Sequence, residues 1–343
     1  MAMNFSPGTL AERLSEMAGY KVGLALSVEE ICDHLAGGPG DMADIVRRSE
    51  VQGARLRSEA YEAIHYRLLH RIGYTEVEQT GHLPGIREYH KYKVHPDLLA
   101  LHCEMKRIFA ETMPVMMDEA VIRGDRLVNP KLFIDRCRAE LGSVGLVMAY
   151  EHMDAWYNLL RASPYNRGRC VEWASPLELE TLFTGTDQAP EEGSFIDQRF
   201  LDYLSNNTNR LQDMHWRKFE EMTAEYFERE GFRVEIGPGS NDDGVDVRLW
   251  KPDSPQDSKP TCLVQCKRQK QKDKIEKIIV KGLAADVQFM EADYGLIVTT
   301  STLSPGAKAT ITARGYPIQA VERDAVAKWL ERLRTPGTGI VRV

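Results

Sequence analysis

Hydrophobic positions along this chain follow two different rhythms. In the first half they recur every three or four residues. Between 55 and 72, Leu56, Tyr61, Ile64, Leu68, Leu69 and Ile72 fall at this spacing and predict a helix. Pro96-Asp97 opens another, with Leu98, Leu99, Leu101, Met105, Ile108, Phe109 and Met113 on its apolar side; a proline early in a helix followed by an acidic residue is a common start. Residues 131–160 predict a further helical hairpin, broken near Gly142 and Gly145. The second half alternates between rhythms. A helix is predicted over 215–230, with Trp216, Phe219, Met222, Tyr226 and Phe227 as its apolar face and Gly231 as its C-terminal cap. Strands follow at 232–236, 245–250 and 261–267, then a helix over 274–290 and a continuously apolar, buried strand at 294–300. A helix at 304–314, a short strand at 317–321 and a final helix at 324–334 complete the pattern.

The polar stretch 184–194, with its Gly and Pro residues, reads as a linker. It divides the chain into a mostly helical N-terminal domain, 1–183, and an α/β domain, 195–335, with a tail over 336–343. The element order after the linker predicts a mixed sheet flanked by helices.

Chemistry concentrates in two of the predicted strands. Asp246 closes Asp-Asp-Gly-Val-Asp (242–246), and Gln265 and Lys267 stand two apart in Val-Gln-Cys-Lys-Arg (264–268). Side chains two apart on a strand share a face. A carboxylate, with the Gln265 amide oxygen or its strand's backbone carbonyl, supplies hard ligands of the kind Mg²⁺ takes. A lysine beside them can orient an attacking water and stabilise charge at phosphorus. Gly244 permits a tight backbone turn next to them. One aspartate and one glutamine hold a cation weakly, so a further carboxylate is expected, and Glu220 on the preceding helix is the candidate. Asp242 and Asp243 are nearer in sequence but lie in a turn, where acidic residues are common for local reasons.

Phe219-Glu220, Gly231-Phe-Arg-Val234, Asp243-Gly-Val-Asp-Val247, Val264-Gln-Cys-Lys-Arg268 and Ile297-Val-Thr-Thr-Ser301 together resemble the catalytic domain of the Mrr-type restriction endonucleases, within the PD-(D/E)xK nuclease superfamily. Gln265, in place of an acidic residue before x-Lys, is characteristic of that branch. The resemblance covers about residues 210–335. It implies a restriction-endonuclease-like fold and Mg²⁺-dependent DNA cleavage, with Mn²⁺ able to substitute, in restriction or antiphage defence and often against modified DNA. It makes Asp246, Gln265 and Lys267 metal-site and catalytic residues, with Glu220 an additional active-site acid. Val245 stands where the superfamily's named motif has proline, as in the Mrr branch. Two other readings use the same fold: a DNA-binding or interaction module that does not cleave, and a structure-specific resolvase or repair nuclease.

The net charge of −7 disfavours coating nucleic acid by bulk charge. A local patch changes that picture: residues 267–281 carry seven basic against two acidic side chains. Arg268, Lys270, Lys272, Lys274 and Lys281 are its candidate DNA-binding residues, because the run begins at Lys267. One site per chain makes double-strand cleavage a task for at least a homodimer, and the N-terminal domain is open to a role in recognition, sensing or binding a protein partner. Six scattered cysteines without a Cys-x-x-Cys pair predict reduced thiols and no structural zinc. Apolar runs too short for a bilayer, and a start lacking a signal-peptide pattern, predict a cytoplasmic protein. The string Pro96-Asp97…Glu104-Met105-Lys106 also spells a nuclease motif, but its helical periodicity puts residues two apart on different faces. His82, His90, His95 and His102 lie near Cys103 without a ligand spacing, and Tyr89, Lys91, Tyr92, Lys93 and His95 mix aromatic and basic groups in a way that suits nucleic acid or a solvated surface.

Overall fold

The computed structural model describes residues 2–75, 77–79, 84–124, 128–165, 175–185, 194–238 and 244–334. The elements in chain order are β1 (Ala2–Phe5), α1 (Thr9–Val22), β2 (Leu24–Ala25), α2 (Val28–Leu35), α3 (Met42–Gln52), β3 (Ala54–Arg57), α4 (Ser58–Arg71), α5 (Pro84–Tyr92), α6 (Pro96–Arg123), α7 (Lys131–Ala162), β4 (Leu177–Glu178), α8 (Thr181–Thr184) and α9 (Gln198–Asn206). After a 3-10 turn at Thr208–Asp213 come α10 (Trp216–Arg229), β5 (Arg233–Ile236), β6 (Val247–Trp250), β7 (Cys262–Lys267), α11 (Lys277–Phe289), β8 (Tyr294–Thr299), α12 (Pro305–Arg314), β9 (Ile318–Val321) and α13 (Arg323–Leu333). Most of the expected linker, 186–193, and the expected tail lie outside the described residues. Among the described residues no helix is long and apolar enough to cross a membrane.

The chain forms two compact units that interleave in sequence. One comprises residues 1–3, 56–67 and 77–168. Its core is Tyr92, Met105, Ile108, Met116, Phe133, Cys137, Met148 and Ala149, contributed by α5, α6 and α7. The helical path of α7 is interrupted at Gly142, whose φ of 68° and ψ of −155° are not helical, while Gly145 continues the helix.

The other unit comprises residues 4–55, 68–76 and 169–343. Its five-stranded sheet has the order β5-β6-β7-β8-β9. The β5–β6 and β6–β7 pairs are antiparallel, and β7–β8 and β8–β9 are parallel. Side-chain alternation gives β7 two buried faces. Leu263 packs with Val280, Leu283 and Val287 of α11 and with Ile297 of β8, whereas Cys266, of opposite parity, meets Thr223 of α10. Each fully buried Leu, Ile or Val of this kind contributes roughly 1.5–3 kcal/mol. Helix α10 buries Phe219, Met222, Tyr226 and Phe227, but Trp216, expected on that face, is 43% exposed at the first turn. The helix stops at Gly231, φ 90°, where the Phe232 N–H returns to the Phe227 carbonyl at 3.0 Å.

The early residues of this unit are built in through α9. Strand β2 pairs in parallel with β4. The Arg199 guanidinium donates to the carbonyls of Gly23, at 3.0 Å, and Ser175, at 2.9 Å.

Candidate active site

The antiparallel register pairs Val247 with Val264, so Asp246 comes to lie beside Gln265. The Asp246 N–H donates to the Val264 carbonyl at 3.0 Å. Its carboxylate accepts the Cys266 N–H at 2.6 Å. Asp246 therefore clamps the backbone on both sides of Gln265. Gly244 closes the same turn with a φ of 86°, in the left-handed region that glycine tolerates. A Cβ at Gly244 would sit 3.0 Å from Gln265 Nε2, so the backbone also approaches the glutamine amide closely. Asp246 and Gln265 are 6% and 7% exposed. The Gln265 Oε1 atom is buried and has no hydrogen-bond partner among the described residues. Buried polar atoms are nearly always satisfied, and an exception calls for a physical cause.

Glu220, 5% exposed, reaches this region from α10. Arg217 donates to it at 3.0 Å and also to the Gly237 carbonyl at 2.8 Å. The Gly237 N–H in turn donates to the Asp246 carbonyl at 2.8 Å. A short hydrogen-bonded path thus ties the helix carboxylate to the backbone of Asp246. Cys266 senses both: burial first, then the Asp246 and Glu220 carboxylates, push its thiol well above the ordinary range, against the Thr223 hydrogen bond and Lys267. Arg217 was not singled out in the sequence, although its spacing of three from Glu220 on a helix is a readable signal.

Lys267 ends β7 on the face of Gln265, half-buried, and forms no ion pair among the described residues. The end of β8 holds the backbone that follows it. Thr299 Oγ1 donates to the Lys267 carbonyl at 2.8 Å. The Thr300 hydroxyl donates to the Gln269 carbonyl at 2.7 Å and accepts the Gln269 N–H at 2.8 Å. The Ser301 hydroxyl donates to the Asp273 carbonyl. The Ile275 N–H donates to the Thr302 carbonyl at 2.9 Å. The Thr-Thr-Ser segment of the sequence motif is thus the anchor of the basic run. That run corrects one expectation: α11 begins at Lys277, not 274, so exposed Lys270, Lys272 and Lys274 belong to a pinned loop. Ile275 is drawn into a bridge with Leu303, which takes the preceding residues out of helical register. Arg268, at the start of the loop, donates to the Gln212 carbonyl at 3.3 Å. Lys281 lies apart from these, on α11.

Asp242 and Asp243 lie outside the described residues. Among the described residues no group of three or more His, Cys, Asp or Glu side chains could hold a metal ion. The oxygen donors that are present, the Asp246 carboxylate and the unsatisfied Gln265 Oε1 with Glu220 nearby, fit a hard divalent cation that keeps several waters. The string at Pro96–Lys106 lies on α6, in helical geometry. His102 is buried against Glu88, and His82 lies outside the described residues.

Residues 211–330 match the Mrr_cat family model, described as a restriction endonuclease. No curated protein matches the chain. Among solved structures the chain is similar to the MspJI restriction endonuclease in complex with a 27-mer oligonucleotide, at 19% identity and a TM-score of 0.32. That alignment covers 55% of this chain and spans 41% of the other.

Proposed function

We propose that this chain, whose residues 211–330 carry an Mrr-type restriction-endonuclease domain, is a Mg²⁺-dependent DNA endonuclease of a restriction or antiphage system. The observation that carries the reading is the Gln265 Oε1 atom, buried without a partner among the described residues beside the clamped Asp246. A fold keeps an unsatisfied buried acceptor when a ligand supplies the missing hydrogen-bond or metal partner.

In this reading Asp246, Gln265 and Glu220 hold the cation. When bound, Mg²⁺, or Mn²⁺ in its place, lowers the pKa of a water and neutralises charge on the phosphate oxygens. The chain's own residues do the rest. The hydrogen bonds of Asp246 to Val264 and Cys266 fix the strand ends, so the oxygens need little reorganisation. Lys267 orients the attacking water and offsets the charge that builds at phosphorus. Lys270, Lys272 and Lys274, with Arg268 and Lys281, bind flanking phosphates, and the bonds from Thr300 and Ser301 keep the loop presented. With one such site among the described residues of a chain, cutting both strands requires a dimer or larger assembly.

The test is to incubate the purified protein with methylated and unmethylated supercoiled plasmid, in Mg²⁺ or EDTA, alongside Asp246→Ala and Lys267→Ala. Nicked or linear product is expected only from the unsubstituted chain with metal. Undiminished cutting by both variants would reject these residues. DNA binding without cutting under every divalent metal would favour a binding module on a nuclease fold.

A further inference from the structure

The helical unit formed by residues 1–3, 56–67 and 77–168 holds a cavity of about 380 Å³. Small-molecule sites occupy roughly 300–1,000 Å³. Tyr89, His102, Phe109, His152 and Trp156 line it with rings, and Lys106 adds a cation.

The rings are fixed in place. Phe109 stacks on Trp156 with centroids 6.2 Å apart and planes 17° apart, and meets His152 edge-on at 4.5 Å. Behind them lies the Glu88 carboxylate. It accepts from His102 Nε2 at 2.9 Å and from His152 Nδ1 at 2.8 Å. Trp156 Nε1–H donates to His152 Nε2 at 3.0 Å, which leaves Nδ1 as the proton-bearing nitrogen of that ring. The side chains of His102 and His152 are 2% and 3% exposed. Burying a carboxylate is costly unless it is paired and hydrogen-bonded. Here that arrangement sets the orientation of two wall rings, so the cavity is shaped before anything enters it.

The outside has the opposite character. Tyr89 is 49% exposed, and Lys93, four residues on, is exposed, whereas Lys91, two residues from Tyr89, is paired with Glu151 at 2.6 Å. Lys106 lies across Gly85, whose added Cβ would be 3.3 Å from the ammonium. A cationic guest would be repelled by this rim, and the anion behind the rings, Glu88, is already engaged by both histidines. A flat ring bearing a negative group meets both requirements: stacking inside and charge pairing at the mouth.

We propose that this cavity binds a nucleobase carrying a phosphate, with the base among the rings and the phosphate toward Lys106. The same chemistry comes from a free nucleotide or from a base turned out of a strand. The site does not depend on the nuclease reading, since none of its residues belongs to the 211–330 match.

The full chain in EDTA is titrated by calorimetry and tryptophan fluorescence. The probes are the four deoxynucleoside monophosphates, their nucleosides, a single-stranded oligonucleotide and a duplex with one mismatch. Saturable binding is expected, with quenching of tryptophan fluorescence that Trp156→Phe diminishes. Exposed-residue variants Tyr89→Ala and Lys106→Glu, checked for unchanged circular dichroism, should each weaken it about tenfold or more. Nucleosides should bind more weakly than nucleotides. Binding of mononucleotides identifies a free-nucleotide site, and binding of oligonucleotides alone identifies an extruded base. Absence of binding by every probe, or unchanged affinity in both Tyr89→Ala and Lys106→Glu, overturns the proposal.

Discussion

Replacing Gln265 by methionine should separate stability from function at a single side chain. Gln265 Oε1 is buried with no hydrogen-bond partner among the described residues. Leaving a buried acceptor unsatisfied costs about 1–3 kcal/mol. Methionine is unbranched like glutamine, adapts to irregular gaps and removes the amide oxygen. In EDTA the Gln265→Met protein is therefore expected to be more stable to urea than the unsubstituted chain, by about 1–3 kcal/mol. Divalent metal should reverse the order. Mg²⁺ at a hundredfold over its dissociation constant adds about 2.7 kcal/mol to a protein that binds it only when folded. The variant, lacking one oxygen donor, should gain much less and should nick plasmid poorly. Urea unfolding with and without Mg²⁺, run beside the nicking assay, measures all three quantities. Destabilisation of Gln265→Met by more than about 1 kcal/mol in EDTA would show that the oxygen was satisfied after all. Equal stabilisation of both proteins by Mg²⁺ would show that it is not a metal ligand.

At Asp246 the asparagine variant keeps an oxygen for the Cys266 N–H and should unfold later than Asp246→Ala, which leaves that buried N–H unpaired at a cost of about 1–3 kcal/mol; thermal melts rank them, and both should fail to cut DNA. Joint replacement of Lys270, Lys272 and Lys274 by alanine should leave unfolding unchanged but flatten the plot of log affinity against log salt by about 0.9 for each phosphate no longer neutralised. Fluorescence anisotropy with a duplex reads that slope, and an unaltered slope removes the loop from the DNA interface. Burial opposes ionisation of Glu88, but hydrogen bonds from His152 and His102 prevail and hold its pKa below the ordinary 4.5. The folded value lies below the unfolded one, so this contribution is complete above the unfolded pKa and is lost as pH falls through the folded pKa. Acid unfolding followed by near-ultraviolet circular dichroism should show this loss, and Glu88→Gln should make it shallower.

Much of the α/β half was legible because its signals are local. The helical period of α10, the Gly231 cap and the uninterrupted apolar run of β8 each depend on neighbours within one or two turns. Asp246 and Gln265 were legible as a pair because adjacent strands made them neighbours. The start of α11 was not. Lys272 and Lys274 are good helix formers, and the local preference yields to a bridge between Ile275 and Leu303, far apart in sequence. Trp216 was placed on the apolar face by periodicity, but at the first turn of α10 it is left 43% exposed. The grouping of residues 4–55 with 169–343 also escaped the sequence, since hydrogen bonds such as Arg199 to Gly23 have no local signature.

The order of residue types along the chain was enough to determine an α/β domain with a carboxylate, an amide and a lysine at the ends of neighbouring strands. Periodicity and capping act over a few residues and survive in one dimension. Tertiary structure alone decided which atoms are left wanting. It wrapped Asp246 around Gln265, buried an amide oxygen without a partner, and pinned a lysine loop with three hydroxyl side chains from β8 and the residues after it. It also closed Glu88 between two histidines 14 and 64 residues away. Burial and hydrogen-bond satisfaction depend on every group within a few ångströms, and most of those groups are distant in sequence.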